Sequence, residues 1–143
     1  MTVARILANK GRNVVTTQPH RTLLEISREL LRHKIGAMVI ADANDNLVGL
    51  ISERDIVEAI ASHGPDALSD AASRHMVTNP RTVDENDTVD ETMQTMTLER
   101  RRHLPVLRDG RLVGLVSIGD VVKYRIEAIE REHEELRVYI ATA

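Results

Sequence analysis

An internal repeat constrains this chain more than any other feature of its 143 residues. Residues 47–57 align with residues 112–122 at an offset of 65, and seven of the eleven aligned positions are identical. Two further pairs of segments align at an offset of 66: residues 22–25 with 88–91, and residues 36–40 with 102–106. A repeat that covers nearly the whole chain means that one structural unit occurs twice, so we expect a fold built from two similar halves.

A capped helix is predicted near the start of each copy. Thr22 and Thr88 each stand three residues before a glutamate, which is the spacing of a capping box. Apolar residues at helical spacing follow each threonine and predict one buried face per helix. The residues of these two faces are Leu23, Ile26, Leu30 and Leu31 in the first copy, and Val89, Met93 and Met96 in the second.

Two short apolar runs follow each of these helices and predict a β-hairpin. In the first copy the runs are residues 37–41 and 47–51, separated by residues that favour turns. The second copy has a tighter turn at Asp109 and Gly110, a strong signal for a two-residue hairpin loop. A second helix is predicted after each hairpin, from residue 53 to 62 and from residue 119 onward. With a strand before the capped helix, each unit has the order β-α-β-β-α.

The predicted fold class is therefore α/β, of the α+β kind, with two such units packed with pseudo-two-fold symmetry. A unit of about 50 residues buries so small a fraction of its surface that it would be only marginally stable alone, which is why we expect the two to pack together. The predicted boundaries are a first unit with the N-terminal segment at 1–64, a connector at 65–76, and a second unit with an extended C-terminal helix at 77–143.

Composition excludes several functional classes. The chain has no cysteine, so a disulfide framework, a thiolate nucleophile and a cysteine-ligated zinc site are excluded. A net charge of −3 and only two aromatic residues argue against a strong sequence-independent grip on nucleic acid. No metalloprotease helix, phosphate-binding loop or serine nucleophile elbow is present, and no metal site is predicted. With no apolar run long enough to span a membrane and no recognisable signal segment, we expect a cytoplasmic protein.

The same Ser-x-x-Asp pattern ends the last strand of each hairpin, at residues 52–55 and 117–120. One interpretation is structural, because serine and acidic residues cap helices whatever the function. The other is that the helix amides and serine hydroxyl hold phosphate, while the aspartate accepts hydrogen bonds from the two hydroxyls of a ribose. Gly49 and Gly114 lie inside predicted strands and mark a close approach, either by a ligand or by a packed helix.

These motifs resemble a tandem pair of cystathionine β-synthase (CBS) domains, an arrangement called a Bateman module. The resemblance covers roughly residues 8 to 140 and rests on the Leu-Val-Gly-Leu-(Ile/Val)-Ser-x-x-Asp strands at 47–55 and 112–120. Further matches are the strands at 37–40 and 103–106 and the segments at 14–19 and 78–83. Such a pair implies a regulatory sensor, not an enzyme, that binds AMP, ADP, ATP or NAD(H) in clefts between its units.

The resemblance implies two sites, in which Asp120 and Asp55 would each hold a ribose, with a serine near phosphate and the base against backbone and small apolar groups. We expect the Asp120 site to bind more tightly, because Arg102 and His103 have no cationic counterparts at residues 36 and 37. At the Asp55 site, Arg54 is expected to reach toward phosphate, since only Gly119 stands at its repeat position. Grouped with Asp120 are Ser117, Gly119, Lys10, Arg12, Asn13, Ile35, Arg102, His103 and Leu104. Grouped with Asp55 are Ser52, Arg54, Gly36, Ala37, Met38, Val77, Thr78 and Asn79.

The resemblance further implies a disc-like homodimer, and the apolar stripe of the last helix could serve that contact. With no appended effector domain in the sequence, we expect the output to pass to an effector protein in trans or through the oligomer. Two other interpretations remain open from the residues. The chain could be a structural or protein-interaction module with empty clefts, in which Ser-x-x-Asp only caps helices. A weaker alternative is nucleic-acid binding through the basic run at residues 100–103.

Overall fold

A computed structural model describes residues 1–142 and shows a mixed α+β protein. The elements in chain order are α1 (Val3–Lys10), β1 (Thr16–Thr17), α2 (Leu23–His33), β2 (Ala37–Ala41), β3 (Leu47–Ser52), α3 (Glu53–His63), β4 (Val77–Thr78), β5 (Val83–Asp84), α4 (Val89–Glu99), β6 (His103–Arg108), β7 (Arg111–Ser117) and α5 (Ile118–Thr142). Two short 3-10 turns, Pro65–Ser69 and Ala72–Arg74, follow α3. The predicted order β-α-β-β-α is confirmed in both copies.

The chain forms two compact units. The central unit is Asn13–Arg81, and the terminal unit combines Met1–Arg12 with the chain from Thr82 to the last described residue. The central unit has a four-stranded sheet of order β1-β2-β3-β4, in which β1 and β2 are parallel and the other pairs antiparallel. The terminal unit has a three-stranded sheet of order β5-β6-β7, with a parallel and an antiparallel pair. Each unit has its own aliphatic core.

The predicted capping residues begin their helices as expected, with one difference. Thr88 accepts a hydrogen bond from the Glu91 amide, and the Glu91 carboxylate accepts one from the Thr88 amide, so this capping box is complete. Thr22 accepts from the Glu25 amide, but the Glu25 carboxylate is engaged by Arg21 at 2.9 Å instead of by the Thr22 amide. The hairpin turn at Asp109 and Gly110 has positive φ at both residues, as a two-residue loop of this kind requires.

The predicted apolar face of α2 is wrong at one position. Leu23, Ile26 and Leu30 are buried in the core of the central unit, whereas the Leu31 side chain is 80% exposed. Leu31 follows Leu30 by one residue, a step of 100° around the helix, and the buried face is too narrow to include both.

Helix α1 packs in the terminal unit, which differs from the predicted assignment of residues 1–64 to one unit. Val3 and Leu7 are fully buried in the core that contains β6 and β7. The Val3 and Ala4 amides donate to the carbonyls of Asp87 and Glu85 at 2.9 and 2.8 Å, so residues from the second copy satisfy the start of α1. The difference arises from tertiary packing, because the apolar face of α1 is buried in a core formed by residues far along the chain.

The segment predicted as a connector has the matching role in the central unit. The Ala72 and Ser73 amides donate to the carbonyls of Arg21 and Pro19, which are the repeat positions of Asp87 and Glu85 at the offset of 66. Leu7 lies against Gly114, and Met76 lies against Gly49 in the same way. The second copy is therefore completed by residues 3–7, which precede the first copy in the chain. The first copy is completed by residues 72–76, which precede the second. Gly114 and Gly49 have no side chain and so leave room for Leu7 and Met76. This confirms the prediction that the two strand glycines mark a close approach by a packed segment.

Candidate functional site

The second Ser-x-x-Asp pattern forms the junction between β7 and α5. The Asp120 amide donates to Ser117 Oγ at 3.1 Å, and the Ser117 amide donates to Asp120 Oδ2 at 2.9 Å. The Ile118 amide donates to the carbonyl oxygen of Arg102 at 2.8 Å, so β6 also supports the start of the helix. These bonds hold the Asp120 carboxylate at the helix N-terminus in a fixed orientation.

Lys10, the last residue of α1, reaches this carboxylate. Its Nζ lies 2.6 Å from Asp120 Oδ2 and 2.8 Å from the carbonyl oxygen of Leu115. Partial burial acts to raise the pKa of Asp120, but the hydrogen bond and charge of Lys10, together with the Ser117 amide, outweigh it and hold this pKa below its ordinary value. Asp120 is therefore ionised at neutral pH and stands beside a cation.

A cavity of about 340 Å³ opens next to this ion pair, between α1 and α5. Two lysines and two acidic residues are among the residues that line it, so the local charge is balanced. Lys10 and Asp120 were predicted from the sequence, but the other lining residues were not; these are Ile6, Asn9, Lys123, Tyr124 and Glu127. The positions on α5 could have been found, because residues 123, 124 and 127 share a helical face with residue 120. The positions on α1 could not, because only the tertiary structure places α1 beside α5.

The first Ser-x-x-Asp pattern has the same construction in the central unit. The Ser52 amide donates to Asp55 Oδ2 at 2.8 Å, the Asp55 amide donates to Ser52 Oγ at 3.3 Å, and the Glu53 amide donates to the carbonyl oxygen of Gly36 at 3.0 Å. Arg54, predicted to reach toward phosphate, donates from Nε to Glu58 Oε1 at 3.2 Å on the exposed face of α3. The Ser52 and Ser117 amides and Lys10 each donate to the Oδ2 atom of their aspartate, and within residues 1–142 the Asp55 carboxylate has no lysine partner of the kind that Asp120 has.

The predicted residues fall into the two units in an uneven way. All residues grouped with Asp55 belong to the central unit, where β4 pairs with β3 beside them. Of the residues grouped with Asp120, Asn13 and Ile35 belong to the central unit and the others to the terminal unit. Three of the predicted residues have side chains buried in the cores, so only their backbone atoms could face a ligand: Ala37, Met38 and Leu104.

Arg12, another predicted site residue, binds a carboxylate of its own unit. Its Nη1 donates to Glu85 Oε2 at 3.0 Å, and Arg108 binds the same carboxylate through Nε and Nη2. The hydrogen bond from Arg108 lowers the pKa of Glu85; burial opposes it, and Arg12 adds to the lowering. This cluster fastens the chain after α1 to β5 and β6.

The Glu85 cluster predicts an acid-sensitive contribution to stability. Because the folded-state pKa of Glu85 is lowered, its contribution is complete above the unfolded carboxyl pKa of about 4.3 and is lost as the pH falls through the lower folded value. We expect Glu85→Gln to lower the Tm at pH 7 by several degrees and to flatten the fall of Tm below that pKa. Thermal unfolding across this pH range tests both effects. The control is Glu58→Gln, which removes the carboxylate of an exposed ion pair and should change neither the Tm at pH 7 nor its fall at low pH. Equal Tm losses in the two variants would contradict the prediction.

Comparison with known proteins agrees with this architecture. The sequence pattern of the CBS domain matches the chain twice, at residues 4–62 and 69–127. The chain belongs to the CBS domain family. A CBS-domain containing protein from Agrobacterium tumefaciens has a solved structure that is 43% identical, with a TM-score of 0.85, over 87% of this chain and 99% of that one. The resemblance and the fold class predicted from the sequence are thus confirmed.

Two solved CBS proteins contain adenosine compounds. A CBS domain protein from Pyrobaculum aerophilum complexed with AMP is 28% identical, with a TM-score of 0.75, over 84% of this chain and 89% of that one. The CBS domain pair of protein MJ0100, in complex with 5′-methylthioadenosine and S-adenosyl-L-methionine, is 26% identical, with a TM-score of 0.80, over 90% of this chain and 98% of that one. Among curated sequences, the chain matches a relative from Methanopyrus kandleri at 32% identity over 131 residues and spans 66% of its length.

None of the described helices combines the length and the apolar character needed to cross a membrane. No group of three or more histidine, aspartate or glutamate side chains in residues 1–142 is placed to hold a metal ion.

Proposed function

We propose that this CBS-domain pair is a regulatory sensor of adenine nucleotides, AMP, ADP, ATP or NAD(H), with no chemistry of its own. The observation that carries the proposal is the Asp120 carboxylate, ionised and held at a helix N-terminus beside Ser117 and Lys10. Support from relatives is that CBS proteins of similar fold were crystallised with AMP, or with 5′-methylthioadenosine and S-adenosyl-L-methionine.

The ribose is proposed to bind Asp120 through its vicinal hydroxyls. A carboxylate only accepts hydrogen bonds, and the bonds that hold Asp120 end on Oδ2, so Oδ1 is the acceptor that a ribose would engage first. Lys10 has three N–H donors, of which two are directed to Leu115 and Asp120. The third donor and the positive charge favour a ligand that carries phosphate near its ribose.

The second proposed site, at Asp55, lacks these electrostatic features. Its carboxylate and serine have the same geometry as at Asp120, but Arg54 is paired with Glu58, and the lysine partner is missing in the central unit. We therefore propose that the Asp120 site binds phosphorylated nucleotides more tightly than the Asp55 site. The remaining predicted residues of both groups are proposed as backbone and side-chain contacts to base and phosphate.

The proposed output is a change in geometry or rigidity that an effector protein responds to in trans. A bound nucleotide shifts such an equilibrium only by its difference in affinity for the two forms. The cytoplasmic location and the homodimer predicted from the sequence are part of this proposal. The alternative function, a structural or protein-interaction module, is favoured by one observation: both aspartates make the bonds that a helix cap requires.

A thermal-shift panel separates the two functions. The panel contains adenosine, AMP, ADP, ATP, NAD, NADH, GTP and S-adenosylmethionine, each with the untreated protein as the reference. A ligand present at about 100 times its dissociation constant should stabilise the fold by about 2.7 kcal/mol, which melting curves resolve easily. A response to adenine nucleotides, and none to GTP, supports the sensor. No response to any compound supports the structural module.

A Lys10→Met variant tests the proposed selection for phosphate. Lys10 is 39% exposed at its side chain, so the fold should tolerate the change. We expect wild-type protein to bind AMP more tightly than adenosine by roughly tenfold, a typical effect of one charge-assisted hydrogen bond, and the variant to lose most of that difference. Calorimetric titration with both ligands measures it, and an unchanged ratio would show that Lys10 does not contact phosphate.

A further inference from the structure

Helix α5 has two apolar faces, and only one of them is covered by its own unit. Val121, Tyr124 and Ala128 are buried against the core of the terminal unit. A second face, beside the first, has five aliphatic residues whose exposed fractions lie between 41% and 66%: Val122, Ile126, Ile129, Leu136 and Ile140. Burial by the unit therefore accounts for one face and leaves the other without a partner in the described residues.

The spacing of the exposed face is that of a coiled-coil seam. Its residues follow one another in steps of four, three, seven and four, and His133 occupies the intermediate position within the step of seven. This is a heptad pattern with Val122, Ile129 and Leu136 at d, and Ile126, His133 and Ile140 at a. A strict period of 3.5 residues keeps the seam directed at one partner helix as the two supercoil, which a face built only for a globular core does not need.

The last half of α5 has no support from its own unit. None of the side chains of residues 129–142 is buried, and these fourteen residues are helical throughout. Isolated helices shorter than about 12–15 residues are marginal in water, because their stability in proteins comes from packing an apolar face. The exposed seam supplies such a face, so a second helix along it would stabilise this segment.

The charges beside the seam identify the partner and its direction. In a parallel pair of identical helices, each g residue lies opposite the e residue five positions later on the other chain. Arg125 then lies opposite the partner's Glu130, and Glu132 lies opposite the partner's Arg137, so two opposite-charge pairs form on each side of the seam. Within residues 1–142 of its own chain Arg125 has only a long, 4.0 Å contact with Asp90, and Arg137 a 3.9 Å contact with Glu134, and both are exposed enough to turn to a partner. In an antiparallel pair with the core layers aligned, Glu130 would face the partner's Glu130 and Lys123 the partner's Arg137, which are like-charge pairs.

We propose that residues 122–140 of α5 form a parallel, in-register, two-stranded coiled coil with the same residues of a second copy of this chain. The seam, the unsupported helix and the complementary charges all belong to one helix. None of the seam residues lines the cavity beside Asp120, to which α5 contributes Asp120, Lys123, Tyr124 and Glu127. The proposal gives the homodimer a specific interface, and it stands or falls independently of ligand binding.

Disulfide trapping tests the interface directly, because the natural chain contains no cysteine. Leu136→Cys places a thiol at a d position, where the two chains of a parallel pair come within disulfide distance. Glu134→Cys is the matched control, two residues earlier on the outer face of the helix. We expect rapid oxidative cross-linking of the first variant and little of the second. No cross-linking at residue 136, or equal cross-linking of both variants, would overturn the proposal.

Charge reversal tests the direction of the pair. Glu132→Arg and Arg137→Glu each convert attractive pairs into repulsive ones, and we expect each to weaken dimerisation by roughly tenfold. A mixture of the two variants restores opposite charges across both sides and should form a heterodimer about as stable as the wild-type dimer. Sedimentation equilibrium measures each constant, and circular dichroism checks that the units stay folded. A wild-type monomer at high concentration, or a stronger dimer in Arg137→Glu, as an antiparallel pair requires, would contradict the proposal.

Discussion

Replacing Asp120 with alanine is expected to weaken AMP binding by roughly a hundredfold, because two hydrogen bonds from the ribose to an ionised acceptor are lost. The same substitution removes a helix-capping contact and leaves Lys10 without its carboxylate. We expect the cap to contribute about 1 kcal/mol to the free energy of unfolding without ligand. Calorimetric titration measures the first effect, and thermal unfolding of the ligand-free protein measures the second.

Asp55→Ala is the matched control for this prediction. Asp55 makes the same capping contacts but has no lysine partner, so its loss should cost a similar amount of stability and much less AMP affinity. If Asp120→Ala binds AMP as the wild type does, the aspartate serves only to cap the helix, and the sensor function at this site is wrong. A similar loss of affinity in both variants would show two equivalent sites and would contradict the special role of Lys10.

Leu7→Ala is expected to lower the free energy of unfolding by about 2–5 kcal/mol, the usual cost of a cavity left by a fully buried leucine. Leu7 is completely buried against the sheet of the terminal unit, where it faces Gly114. If α1 were a loosely attached leader of the first copy, the same change would have little effect. Urea unfolding monitored by circular dichroism measures the loss, and a value below about 1 kcal/mol would contradict the packing of α1 seen here.

A glycine substitution provides the second half of this test. A Cβ added at Gly114 would lie 2.6 Å from Leu7 Cδ2 and 3.2 Å from Leu7 Cγ, so we expect Gly114→Ala to cost about 1–3 kcal/mol. At Gly49 the nearest atom is the sulfur of Met76, a flexible and half-buried side chain that can move away, so Gly49→Ala should cost much less. Combining Gly114→Ala with Leu7→Ala should cost less than the sum of the two, because the smaller side chain removes the clash.

Local chemistry made a large part of this fold predictable. The capped helices, the hairpins and the tight turn at Asp109 and Gly110 each depend on residues within a few positions of one another. The two Ser-x-x-Asp patterns correctly predicted the N-termini of α3 and α5, because a helix cap depends on only four consecutive residues. The prediction failed where neighbours in the chain compete for one face, as Leu30 and Leu31 do on α2.

The candidate site was only partly predictable, because local patterns identify some of its residues but do not show which distant residues lie beside them. Ser117 and Asp120 could be predicted from the repeat, whereas Lys10 was grouped with them only through the resemblance to the CBS family. That Lys10 reaches Asp120, whereas Arg12 is held by Glu85, depends on how α1 lies in the terminal unit. No local pattern distinguishes these two cations, because Lys10 is the last residue of α1 and Arg12 comes only two residues later.

Taken by itself, the amino-acid sequence determined that one strand-and-helix unit occurs twice and that each copy ends in the same capped helix start, because periodicity and caps are short-range properties. Tertiary structure alone decided that residues 3–7 pack against the second copy and residues 72–76 against the first. The two segments have almost no identical residues, so their sequences do not show that they have matching roles. Their positions depend on which core has room beside a strand glycine, and this is a property of the folded chain and not of any local stretch of sequence.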